Sequence, residues 1–214
     1  MKIITFYSDS HYEMYNDYFL SSYNKHLSEH KLIAKKIEQV SPTGEYESTG
    51  FDYAMLEKIN LIIENIDVND GTPFVYSDCD IQFFGNIDVD MGDNDILFQN
   101  DFNSYCAGFF IAKQSKKVLD FFIDVKERFI KSMNGKIHDQ VVINLMFSEG
   151  YNKIKKDFLP NNKFWTVAFL TNGHHWNGQD VNVPKEIVMH HANFTIGIKN
   201  KLNLLKLVKE KNGK

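Results

Sequence analysis

No stretch of this sequence approaches the roughly 20 consecutive apolar residues of a membrane-spanning helix, so no membrane span is expected. The opening run, Met1-Lys2-Ile3-Ile4-Thr5-Phe6, is too short for a secretory signal and reads better as a first strand. Cysteine is scarce. Only Cys79 and Cys106 occur, in neither a metal nor a redox spacing. So few thiols suit a reducing compartment, and the cytoplasm is the expected location. A basic excess is also missing: 24 basic against 28 acidic residues leave a net charge of −4. That argues against a nucleic-acid partner held by a positive field. There is no glycine-rich phosphate loop of the P-loop or dinucleotide type. Any phosphate must then be held by a metal and side-chain cations rather than by a backbone cradle. Repeats, low-complexity tracts and linkers are absent too. One domain covering residues 1–214 is expected, either the whole protein or one part of a longer one.

What the chain does have is apolar bulk. Apolar residues make up 43 %, with 18 Phe and 10 Tyr, enough for a sizeable core. Strands are expected at residues 3–6, 32–37, 73–76, 95–99 and 106–112. Helices are expected at 11–28, 52–65, 115–132 and 139–148, where apolar residues recur at three- and four-residue spacing. The first carries Tyr15, Phe19 and Tyr23; the second carries Leu56, Ile59, Ile63 and Ile66. Residues 40–50, with Pro42, Gly44 and Gly50, read as a loop. From Leu159 the pattern is short strands and loops ending at Met189-His190-His191, followed by a basic amphipathic helix over 201–210. Alternating strands and helices through residue 150 imply an α/β fold with a largely parallel sheet covered on both faces. The last third is expected to add a smaller antiparallel portion.

The chemistry concentrates at Phe74-Val75-Tyr76-Ser77-Asp78-Cys79-Asp80. Strand side chains alternate, so Asp78 and Asp80 share a face at the carboxyl end of a strand, where open α/β sheets bind ligands. Two converging carboxylates repel unless a cation sits between them, and a divalent metal is the usual one. Turn aspartates ending a strand are the plainer reading. His190 and His191 offer a further ligand for a borderline metal, and Lys199 or Lys201 a point charge for phosphate; ordinary polar residues at a strand end explain them equally well. His138-Asp139-Gln140 opens a helix, where Asp139 suits the first turn and also places a carboxylate and a carboxamide beside a substrate. Ser8-Asp9-Ser10 follows the first strand and either caps a helix or bonds a nucleotide. Gly108 in a strand marks a close approach by ligand or backbone.

These pieces together resemble a GT-A-fold glycosyltransferase that uses a nucleotide-diphosphate sugar. The resemblance is to the retaining nucleotide-diphospho-sugar transferases and the related galactosyltransferase and glycogenin-like group. It rests on Tyr7-Ser8-Asp9, Asp78-Cys79-Asp80, Phe83-Phe84-Gly85-Asn86, Cys106 to Ile111, His138-Asp139-Gln140 and His191-Ala192-Asn193…Gly197…Lys201, in order along nearly the whole chain. Size and an Asn/Lys/Phe-rich composition also resemble glycosyltransferase domains of large algal viruses, notably chlorella viruses.

The resemblance implies a fold, a cofactor and roles. It implies a single Rossmann-like GT-A domain and Mn2+ or Mg2+ bound by Asp78, Asp80 and His191. His191 is favoured over His190, and Lys201 over Lys199, because Asn193 and Gly197 then fall in the family's register. Asp139 and Gln140 would lie by the anomeric carbon as catalytic residues. Tyr7, Ser8, Asp9, Lys58, Ser77, Cys79, Asn193, Gly197 and Lys201 would bind nucleotide or diphosphate. Asp101, Cys106, Ala107 and Gly108 would meet the sugar or acceptor, although Cys106 stands where relatives often carry Asn or Ser. The activity implied is transfer, with retention, of a hexosyl or deoxyhexosyl group from a UDP-type donor to a glycan or protein-linked acceptor. A metal-dependent nucleotidyltransferase or phosphohydrolase and a non-catalytic sugar-nucleotide-binding module are the competing readings. The first wants a second acid cluster that this sequence does not obviously have.

Overall fold

The computed structural model describes residues 1–45, 48–133 and 137–213. Residues 46–47 of the expected loop lie outside it. The strands are β1 (Lys2–Tyr7), β2 (Lys31–Lys36), β3 (Pro73–Ser77), β4 (Ile81–Phe83), β5 (Ile96–Asn100), β6 (Tyr105–Lys113), β7 (Lys156–Phe158), β8 (Phe164–Thr166) and β9 (Met189–His191). The helices are α1 (Ser21–His26), α2 (Phe51–Glu64), α3 (Lys116–Ser132), α4 (Asp139–Ser148) and α5 (Ile198–Asn212).

Six strands form the central sheet in the order β2-β1-β3-β6-β5-β7. All but β6 run in one direction, since β6 alone is antiparallel to both its neighbours. The sheet is therefore mostly parallel, and the fold is mixed α/β as expected. Side-chain alternation splits its inner strands cleanly between two cores. Ile4, Phe74, Tyr76, Phe98 and Phe110 point to one face, where α2, α3 and α4 cover them. Ile3, Val75, Leu97, Phe109 and Ile111 point to the other, against Tyr15, Phe19 and Tyr23. Burial of each such side chain contributes about 1.5–3 kcal/mol.

The last third adds β8 and β9, which join β4 in a second sheet, β4-β9-β8. It is mixed rather than antiparallel: β4–β9 is antiparallel and β8–β9 parallel. Leu204, Leu205 and Val208 of α5 pack beneath it with Trp165 and Trp176. Two helix limits differ from the sequence pattern. The segment expected at 11–28 opens with a 3-10 turn, Asp9–His11, then runs as a π-helix over Met14–Leu20 before α1. Helix α5 begins three residues early, because Gly197 (φ 87°) turns the chain into it.

Candidate functional site

A cavity of about 470 Å³ opens at the carboxyl ends of β1 and β3, within the size range of small-molecule sites. Strand β3 delivers the acid pair to it. The ladder continues one residue past β3, with the Asp78 amide donating to the Gly108 carbonyl at 2.7 Å. Asp78 and Asp80 both line the cavity, as does Cys79 between them, which also joins the core around Val75 and Ile81. The chain then enters β4, whose register pairs Ile81 with His191. The Ala192 amide donates to the Asp80 carbonyl at 3.0 Å. Pairing β4 with β9 thus carries a histidine from the far end of the sequence to the acids.

His191 Nε2 lies 3.3 Å from Asp80 Oδ1. Asp78, Asp80 and His191 each offer one ligand atom, and these atoms fall within 4.8 Å of one another. His190 faces away, buried beside Trp165; burial and the neighbouring His191 push it down to about 3. Two acids and an imidazole form a donor set suited to Mn2+ or Mg2+. Gly108 shapes the space beside them. A Cβ there would stand 2.5 Å from His191 Cε1 and 2.6 Å from Asp78 Oδ2, so only glycine fits. The residues present therefore fit a divalent cation.

Two lysines flank the acids. Lys58 of α2, with its side chain 3 % exposed, pairs with Asp139 at 2.8 Å and Asp78 at 3.4 Å. Burial alone would lower its pKa, but the two carboxylates hold it above the ordinary lysine range. The Tyr76 hydroxyl donates to Asp78 Oδ1 at 2.7 Å. Burial raises Asp78 all the same, with Lys58 opposing. Lys201 of α5 pairs with Asp80 at 2.5 Å. Burial works against the Asp80 charge, yet Lys201 and His191 hold it well below the usual carboxylate range. Lys199 is exposed.

A neutral network closes the third side. The Gln140 amide donates to Asp101 at 2.7 Å and accepts from the Ala107 amide at 3.1 Å. Asn193 donates to the other Asp101 oxygen at 2.5 Å and accepts from Thr166. Cys106 and Gly197 also line the cavity, as do Tyr7 and Ser8. Two expected contacts lie elsewhere. Asp9 is 66 % exposed and pairs with Lys36 at 2.6 Å on the surface, and Ser77 is buried with its hydroxyl on the Asp78 carbonyl at 3.1 Å.

Three residues escaped the sequence reading. His11 lines the cavity and is pushed down to about 4 by burial and by Lys201. Tyr76 and Gln99 touch Asp78 and His191 from within the sheet. Their signal was a polar group inside an otherwise apolar strand, since a buried polar atom needs a partner.

The same fold occurs in solved glycosyltransferases. One involved in glycosylation of the major capsid of PBCV-1 matches with a TM-score of 0.63 and 14 % identity, over 97 % of this chain and 98 % of that one. The galactosyltransferase LgtC, solved with donor and acceptor sugar analogs, gives 0.55 and 12 %, over 96 % and 95 %. GlyE of Streptococcus pneumoniae gives 0.57 and 12 %, over 98 % of this chain and 62 % of GlyE. Against the apo-form GlyE the chain spans 53 % of the relative's length. No curated protein matches it in sequence. The model of the nucleotide-diphospho-sugar transferase family matches residues 16–205, and the chain belongs to that family.

Proposed function

We propose that this protein transfers a sugar from a UDP-type donor to a glycan or protein-linked acceptor, with a divalent cation and with retention at the anomeric carbon. The observation that carries the reading is the meeting of Asp78, Asp80 and His191 beside Lys201 in one cavity at the sheet's carboxyl edge. Mn2+ or Mg2+ held by Asp78, Asp80 and His191 supplies Lewis-acid stabilisation of a departing diphosphate. Lys201 adds a compact positive charge from the opposite side of Asp80. The nucleoside end of the donor extends toward Tyr7 and Ser8, at the end of β1.

The sugar is left facing Asp139 and Gln140, both cavity-lining residues at the start of α4. Asp139 is 4 % exposed and neutralised by Lys58, so it acts as a fixed charge of defined place. Gln140 is held at both ends of its amide by Asp101 and Ala107. A positioned dipole of this kind stabilises oxocarbenium-like charge without reorganising. LgtC, GlyE and the glycosyltransferase involved in glycosylation of the major capsid of PBCV-1 share this fold, and the last has the highest TM-score of the three.

Calorimetry with UDP tests this directly. Mn2+ is expected to tighten UDP binding, and Asp80→Ala is expected to abolish the gain. UDP affinity that ignores Mn2+ would overturn metal dependence. Incubation with a panel of sugar nucleotides in water then identifies the donor by slow release of free sugar. Release of nucleoside monophosphate would instead support a phosphohydrolase.

A further inference from the structure

The adjacent histidines of β9 are held by two glutamines that use opposite ends of their amides. Gln82, 2 % exposed, directs its Nε2 to His190 Nδ1 at 3.1 Å and to the Leu205 carbonyl at 2.9 Å. An amide nitrogen only donates, so His190 Nδ1 accepts and its proton sits on Nε2. Gln99, fully buried, is the reverse case. Its Nε2 faces the Trp165 carbonyl at 3.4 Å, a group that only accepts, and this orients the amide. Gln99 Oε1 is thereby turned to His191 Nδ1 at 2.8 Å. A carbonyl oxygen cannot donate, so Nδ1 of His191 must carry the proton.

From this we infer that Gln99 is a positioning residue that holds His191 in the Nδ1–H tautomer and so presents Nε2 as an open lone pair to the acid pair. The inference deepens the metal-dependent reading and rests on it only for its consequence. A metal-bound histidine needs its second nitrogen fixed by a partner, and loss of such a partner typically weakens metal binding about 10–100-fold. Here Nε2 and Asp80 Oδ1 stand 3.3 Å apart. In this tautomer both are acceptors, which is a stable arrangement once they share a cation. The Cys106 sulfur, 3.8 Å from His191 Nδ1, is a much weaker acceptor. It cannot replace the amide.

The tautomer is read without metal by long-range 1H–15N correlation of the histidine-labelled protein at pH 8. Wild-type His191 is expected to be protonated on Nδ1 alone. Gln99→Met is expected to move the proton toward Nε2 and to weaken Mn2+ binding by about 10–100-fold, measured by titration with UDP present. Gln99→Glu keeps an acceptor and is expected to retain the Nδ1–H form. Gln82→Met removes a comparable buried amide and is expected to leave His191 and the Mn2+ affinity within about twofold. A wild-type His191 protonated on Nε2, or on both nitrogens, overturns the inference, and so does a Gln82→Met effect equal to that of Gln99→Met. A confirmed Nδ1–H tautomer in a protein that never binds Mn2+ would support the positioning role and overturn the metal reading alone.

Discussion

The cavity has two charged flanks built from the same parts and set differently. On one, Lys58 reaches Asp139 and Asp78 from the middle of α2 and is 3 % exposed. On the other, Lys201 reaches Asp80 from the first turns of α5 and is 26 % exposed. Helix α2 packs against the central sheet, in the same core as Ile4 and Tyr76. Helix α5 packs against the small sheet and its neighbours. The difference separates a cation held by two carboxylates from one held by a single carboxylate. Lys58 lines the cavity but is held by two carboxylates at once, Asp139 at 2.8 Å and Asp78 at 3.4 Å. Lys201 keeps an exposed side and holds one acid, which suits the diphosphate contact of the proposed function.

Breaking the Lys58 flank is expected to have the largest effect. Lys58→Met leaves buried Asp139 and partly exposed Asp78 without their cation, and the broken buried pair with Asp139 is expected to cost about 3–5 kcal/mol. Chemical denaturation measures it, and a loss below 1 kcal/mol would show the flank to be as open as the other. Lys201→Met is expected to cost less stability than Lys58→Met, since Lys201 is 26 % exposed and buried Asp80 keeps His191 beside it at 3.3 Å. Its turnover on the identified donor is expected to fall about 100–1,000-fold, the usual loss when one donor to a developing anion is removed. The two variants should thus invert their order between the denaturation and the rate measurement. Equal ranking in both would erase the distinction.

How much of this was legible follows from which interactions are local. The acid pair and the strand that carries it read directly, because period-two alternation is a property of five or six consecutive residues. Helices α2, α3 and α4 read to within about a residue at their starts, with Ser115 capping α3 through a bond from the Val118 amide. The reversal of β6 was hidden, since an apolar run such as Phe109-Phe110-Ile111 suits either direction when both faces are buried. The mixed small sheet was hidden for a related reason: the three-residue strands β4, β8 and β9 are too short to show a period. Gln99 and Gln140 were the deeper omission and the deeper surprise. Gln99 was read only as a strand residue and Gln140 only as a substrate neighbour, whereas both are tied to partners many residues away. The tie of Gln140 to Asp101 spans 39 residues and that of Gln99 to His191 spans 92. No local pattern announces such pairs.

Between the flanks, Gly108 tests whether the space itself matters. Gly108→Ala would bring a methyl group to 2.5 Å from His191 and 2.6 Å from Asp78, so both must shift. Mn2+-assisted UDP binding is expected to weaken about tenfold or more, as when a ligand's support is disturbed. Metal-free UDP binding should change less. Equal weakening with and without Mn2+ would mean that the methyl obstructs the nucleotide rather than the acids.

The smallest expected effect lies just outside the cavity and sharpens its boundary. Asp9 follows β1 in the sequence as Asp78 follows β3, and a reading by position puts both at the site, Asp78 on the metal and Asp9 on the nucleotide. The structure turns Asp9 outward to Lys36, 66 % exposed, while Tyr7 and Ser8 stay on the cavity wall. Exposed pairs of this kind contribute little. Asp9→Ala is therefore expected to leave melting temperature and UDP affinity unchanged within about twofold, whereas Ser8→Ala should weaken UDP binding through the loss of one hydrogen bond, worth about 1 kcal/mol. A weakening by Asp9→Ala as large as that by Ser8→Ala would move the nucleoside end of the site outward across the end of β1.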